Sequence, residues 1–125
     1  MKAAAWQAAV ETTTKALALD RSLGYASFLN AIGNFNLNQM EAAEQSAREA
    51  EKWPHPNIPQ VHALLADILL RKEDYVEAVA QMREYLEEAP EGKFAEQMKK
   101  NLAQLEPHLP LAEPNAADQP AQQGP

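Results

Sequence analysis

Residues 71–90 read RKEDYVEAVAQMREYLEEAP, with large and small residues at regular helical intervals before a closing proline. Tyr75, Ala78, Met82 and Tyr85 follow one another at intervals of three, four and three, the period of one helix face. Asp74 stands before them as a candidate N-cap, with Glu77 three residues on completing a capping-box-like pair. Pro90 closes the run, because a ring without an N–H ends a helix. The same phrase, a large residue with an alanine three positions on, recurs in WQAAVETTTKALALD from Trp6 and MEAAEQSAREAEKWP from Met40. Ala9, Ala43 and Ala78 stand 34 and 35 residues apart, with Trp6, Met40 and Tyr75 in register before them. Each alanine is a contact point, since paired helices approach to roughly 8–10 Å only where one side is small.

The chain as a whole reads as six helices and no strand. Helix 1 covers about residues 2–19 with Trp6, Ala9, Val10, Thr13 and Leu17 on one face. Helix 2, about 22–36, carries an apolar stripe of Tyr25, Phe28, Leu29, Ile32 and Phe35. Helix 3, about 39–53, is rich in alanine and ends at WPHPNIP, three prolines in six residues. Helix 4, about 59–72, turns Val61, Leu64, Leu65, Ile68 and Leu69 to a core. After helix 5, residues 91–106 form helix 6 around Phe94, Met98, Leu102 and Leu105. Residues 107–125 hold five of the nine prolines and no Lys or Arg, the composition of a disordered tail.

Composition narrows the function. A chain of 125 residues makes one folded unit, and 46% hydrophobic with only 6% aromatic residues suits alanine- and leucine-rich helices. The formal charge of −7, without a basic block, argues against nucleic acid or an anionic membrane as ligand. No apolar run approaches the roughly 20 residues of a membrane span. Without cysteine there is no disulfide, thiolate or cysteine-ligated metal. The amphipathic start does not read as a secretory signal, so the cytoplasm is the default compartment, and the periplasm if a signal has been removed.

The three phrases in register, at this period and in paired helices, resemble the tetratricopeptide repeat family. HALLADILL supports this with Leu65, Ala66 and Leu69, a large, a small and a large residue in the family's order. YASFLNAIG places Tyr25, Phe28, Leu29 and Ile32 on the corresponding positions, but with Leu29 where the family has a small residue. NFNLNQ before Met40 then comes out about two residues too long, which loosens the first repeat. The resemblance implies an all-α, right-handed solenoid of antiparallel helix pairs. Residues 1–21 would be the second helix of a partial repeat, 22–56 and 57–90 two repeats, and 91–106 a capping helix.

The chemistry of catalysis is missing from the pattern. His55, His62 and His108 show no metal-ligand spacing, and His62 and Asp67, five apart on a helix, face away from each other. His62 reads as an exposed, uninvolved histidine, and neither enzyme activity, a cofactor nor a metal is expected. What the resemblance implies instead is a peptide or partner helix held in a groove lined by helices 2, 4 and 6. Its register puts Asn30, Asn34, Gln60, Asp67, Arg71 and Lys100 there, the asparagines satisfying a ligand's backbone. Two other readings stand beside this one. The partial repeat leaves Trp6, Val10 and Leu17 as a self-association face for a homodimer, or the chain is a regulatory or spacer part of a larger protein.

Overall fold

The computed structural model describes residues 3–53 and 57–109. Six helices follow one another: α1 (Ala3–Leu19), α2 (Gly24–Asn36), α3 (Met40–Lys52), α4 (Gln60–Arg71), α5 (Tyr75–Glu88) and α6 (Ala95–Leu105). A 3-10 turn, Glu106–His108, closes the described chain, and the described residues contain no strand. Each helix packs on the next, and α2 also reaches α4. Most of the tail, residues 110–125, lies outside the described residues. No described helix is long and apolar enough to cross a membrane.

Local chemistry sets the ends of these helices. Asp74 caps α5 by accepting from the Glu77 N–H at 3.4 Å. The reciprocal half of a capping box is not made: the Asp74 N–H donates to the Leu69 carbonyl at 2.9 Å, and the Glu77 carboxylate pairs with Arg48 at 3.3 Å. α6 starts at Ala95, four residues later than the composition suggested, because Pro90–Phe94 fold into a turn beneath Tyr85. There the Tyr85 hydroxyl accepts from the Phe94 N–H at 3.0 Å, and a Cβ on Gly92 would lie 2.4 Å from that oxygen.

The turns α2–α3 and α4–α5 are copies of each other, 35 residues apart. Asn38 (φ 63°) and Glu73 (φ 62°) both sit in the left-handed region. The Gln39 N–H donates to Asn34 O at 2.8 Å as Asp74 does to Leu69 O at 2.9 Å, and Asn38 to Phe35 O as Glu73 to Leu70 O, both at 3.0 Å. These matched bonds fix the register between the two pairs. Ala31 corresponds to Ala66, Asn30 to Leu65 and Asn34 to Leu69. The expected placement of Leu29 at the small-residue position is therefore wrong by two, and the connection before Met40 is not lengthened at all.

In this register the faces of α2 are inverted. Its buried residues are Gly24, Ser27, Asn30, Ala31, Gly33 and Asn34, while Tyr25 and Leu29 are exposed and Phe28, Ile32 and Phe35 half-buried. The reason is space. α2 is flanked closely by α1 and α3, and Ala31, Ala43 and Ala47 are fully buried where the helices meet. In α4 the equivalent face is large: Leu65, Ile68 and Leu69 are enclosed together with Met82 of α5. Each contributes about 1.5–3 kcal/mol through burial.

Gly33 tests how tight the α1–α2 approach is, since a Cβ there would meet Val10 Cγ2 at 2.7 Å and the Trp6 carbonyl at 3.3 Å. Overpacking costs about 1–3 kcal/mol, whereas alanine gains up to about 1 kcal/mol of helix propensity over glycine. Gly33→Ala is expected to be destabilising on balance by about 1 kcal/mol, and Gly33→Val by more, measured by urea unfolding followed through circular dichroism.

Candidate functional site

Three alternate helices, α2, α4 and α6, line one cavity of about 300 Å³. α4 contributes Gln60, Ala63, Leu64 and Asp67, and Phe94 at the cap of α6 with Gln97, Met98 and Asn101 within it stand each 34 residues further on. From α2 come Phe28 and Ile32, each 35 residues before its α4 counterpart. One helical register thus supplies the whole lining. The floor is apolar, from Phe28, Ile32, Leu64, Phe94 and Met98, and Gln60, Gln97 and Asn101 bring amides that both donate and accept. Asp67 is open to solvent on one side and backed by protein on the other. That partial burial raises its carboxyl above 3.8, against the pull of Arg71 one turn on.

Of the residues expected in the groove, Gln60 and Asp67 are in its lining. Arg71 lies a turn beyond, its guanidinium 4.7 Å from the centre of the Phe35 ring. Lys100 is exposed off the lining, and its neighbour Asn101 takes the place expected for it. Asn30 and Asn34 do not face the groove, being only 6% and 5% exposed. The Asn30 amide donates to Thr13 Oγ1 at 2.9 Å, Thr14 Oγ1 at 3.1 Å and the Val10 carbonyl at 3.3 Å, tying α2 to α1. Its Oδ1 accepts from Ser46 Oγ of α3 at 2.6 Å and from the Asn34 amide at 2.9 Å. Both asparagines occupy core positions held by Leu65 and Leu69 in the next pair, so they join helices instead of meeting a ligand. Trp6, Val10 and Leu17 of α1 are half-buried, with Val10 packed toward Gly33, so part of that face is covered by α2 and part stays open.

On another side, where α3, α4 and α5 meet, a second cavity of about 440 Å³ is lined by Glu51, Trp53, Val61, His62, Gln81, Glu84 and Glu88, among others. His62 is at its centre, not exposed and uninvolved as the sequence suggested. Nδ1 lies 2.8 Å from Gln81 Oε1 and 3.2 Å from Glu51 Oε2, and Nε2 lies 3.1 Å from Glu88 Oε2. Burial works against the imidazolium, but the bonds to Glu51 and Gln81 and the charge of Glu88 outweigh it and raise the pKa to about 9. Burial likewise opposes ionisation of Glu51, yet His62 and Gln81 hold its carboxyl below the ordinary value. Asp67, by contrast, is on the groove side, as the five-residue spacing required. His55 falls among residues 54–56, outside the described residues, and His108 is exposed in the 3-10 turn.

Geometrically the first cavity suits an apolar side chain with polar backbone beside it, and the second is a charged cluster of one imidazole and several carboxylates. No protein-family model matches the chain, and a comparison with curated proteins finds no match.

Two outcomes follow from the positions of Asn30 and His62. Asn30→Ala removes the tie to α1 and α3 and one of the two bonds of the buried Asn34 amide, which keeps the Asn30 main-chain carbonyl at 3.0 Å, and is expected to lower stability by about 1–3 kcal/mol in urea unfolding. For His62 the folded pKa of about 9 lies above the ordinary 6.5, so its contribution is complete below pH 6.5 and is lost as pH rises through 9. In metal-free buffer the urea midpoint should fall between those pH values, and His62→Gln should flatten that decline. A midpoint equally pH-dependent in the variant would assign the titration elsewhere.

Proposed function

We propose that the chain is a non-catalytic protein-interaction module of tetratricopeptide type, a right-handed solenoid of helix pairs that holds a peptide or partner helix in the α2–α4–α6 groove. The observation carrying this reading is the shared register of the lining: equivalent positions on three alternate helices converge on one cavity. The copied turns at Asn38 and Glu73 support the repeat itself. Repetition of this kind makes a surface that an extended or helical segment can follow from one pair to the next.

The lining also says what such a segment carries. Large apolar side chains suit the floor between Phe28, Leu64, Phe94 and Met98, and the amides of Gln60, Gln97 and Asn101 pair with main-chain groups beside them. Acidic ligands are disfavoured by Asp67 and by a formal charge of −7.

Peptide phage selection against the chain, followed by calorimetry of the winning sequences, tests this. Winners are expected to contain large apolar residues. They should bind about tenfold more weakly to the double variant Asp67→Ala, Asn101→Ala, which removes two hydrogen-bonding side chains at roughly 0.5–1.5 kcal/mol each. Both substitutions leave the buried faces intact, so helical content should not change. Selected peptides that bind wild type and variant equally would remove the groove from the reading.

A further inference from the structure

The cavity around His62 brings together more than a structural ion pair needs. His62 of α4 and Glu84 and Glu88 of α5 each offer a ligand atom, and these atoms all lie within 4.8 Å of one another. Four residues apart, Glu84 and Glu88 share one helix face, where two like charges repel. Glu88 reaches His62 Nε2 at 3.1 Å, whereas Glu84 makes no ion pair of its own among the described residues. The imidazole is also oriented from behind: Nδ1 is held by Gln81 at 2.8 Å and Glu51 at 3.2 Å, which leaves Nε2 turned toward the two α5 carboxylates. An outer hydrogen bond on one ring nitrogen with the other aimed at carboxylates is how metal-binding histidines are presented.

From this arrangement we propose that His62, Glu84 and Glu88 form a zinc-binding site, with Gln81 and Glu51 as the outer partners that position the imidazole. One nitrogen and two carboxylate oxygens make a three-ligand set, with a water completing the tetrahedron from the solvent side, where both glutamates are exposed. Ligand atoms about 2.0–2.1 Å from zinc in a tetrahedron stand roughly 3.3 Å apart, so the His62–Glu88 pair at 3.1 Å is already near that spacing. Glu84, the freer side chain, closes the rest by rotation. The imidazole selects zinc over magnesium or calcium, which take oxygen sets. Coordination replaces the Nε2–H bond to Glu88, and the displaced proton leaves to solvent. The ion would then join α4 to α5 and relieve the repulsion between the two glutamates.

Calorimetric titration of the chelator-stripped full chain with zinc chloride tests the site. One ion per chain is expected, with a rise in melting temperature, and no comparable heat from magnesium chloride. Glu84→Gln and Glu88→Gln should each weaken zinc binding by at least about tenfold, on the scale seen when a metal's supporting groups are changed. Glu84→Gln should do so without lowering the metal-free urea midpoint, since it also removes the repulsion with Glu88, which separates ligand loss from unfolding. The double variant His55→Ala, His108→Ala should bind as wild type does. Absence of saturable binding in the wild type would overturn the site, as would undiminished affinity in both glutamate variants or loss of binding in the His55, His108 variant.

Discussion

Helix α2 runs so close to α1 that a single Cβ on Gly33 would press to 2.7 Å from Val10, and the arrangement of the chain follows from that confinement. Only small or hydrogen-bonding residues fit the inner face, hence Ala31, Gly33 and the two asparagines. The larger residues of α2 are turned outward, and two of them, Phe28 and Ile32, become the apolar floor of a groove shared with α4 and α6. Tight packing on one side of a helix thus creates the surface on the other. Asn30 completes the arrangement because a carboxamide has donors and an acceptor enough to serve α1 and α3 together.

Much of this was legible in the sequence. The six helices, the cap at Asp74, the stop before Pro90 and the alanines that mark the contacts all follow from local patterns that act over one or two turns. The register of α2 was not, for an identifiable reason. Its core positions carry Asn30 and Asn34 where the next pair has Leu65 and Leu69, so hydrophobic matching slid the alignment by two residues onto Phe28 and Leu29. That slip carried the asparagines into the expected groove and hid Phe28 and Ile32 as lining. A comparison of turns would have fixed it, since Asn38 aligns with Glu73 whatever the helices contain. Gln97 and Asn101 escape the repeat reading because α6 lacks the phrase that α1, α3 and α5 share, so nothing local marks its register. The surroundings of His62 were out of reach for a different reason. Spacing along one helix reports only that helix, and the partners of this ring arrive from α3 and α5.

Charge is distributed with the same dependence on pairing. Lys72 at the end of α4 meets Glu41 and Glu44 of α3, and Arg48 of α3 meets Glu77 of α5, so the polar side chains bridge successive helix pairs. The bond from Lys72 holds the Glu44 carboxyl below its ordinary range despite partial burial. Such bridges at the rim add only modestly to stability.

The first turns of α4 face both cavities in quick alternation: Val61 and His62 look one way, Gln60, Ala63 and Leu64 the other. One helix, roughly 10 Å across, is therefore the common wall between a charged chamber and an apolar trough. The two spaces have no independent geometry on that side. A tilt of α4 that widens one narrows its neighbour, and both are gauged against the same ladder of backbone hydrogen bonds.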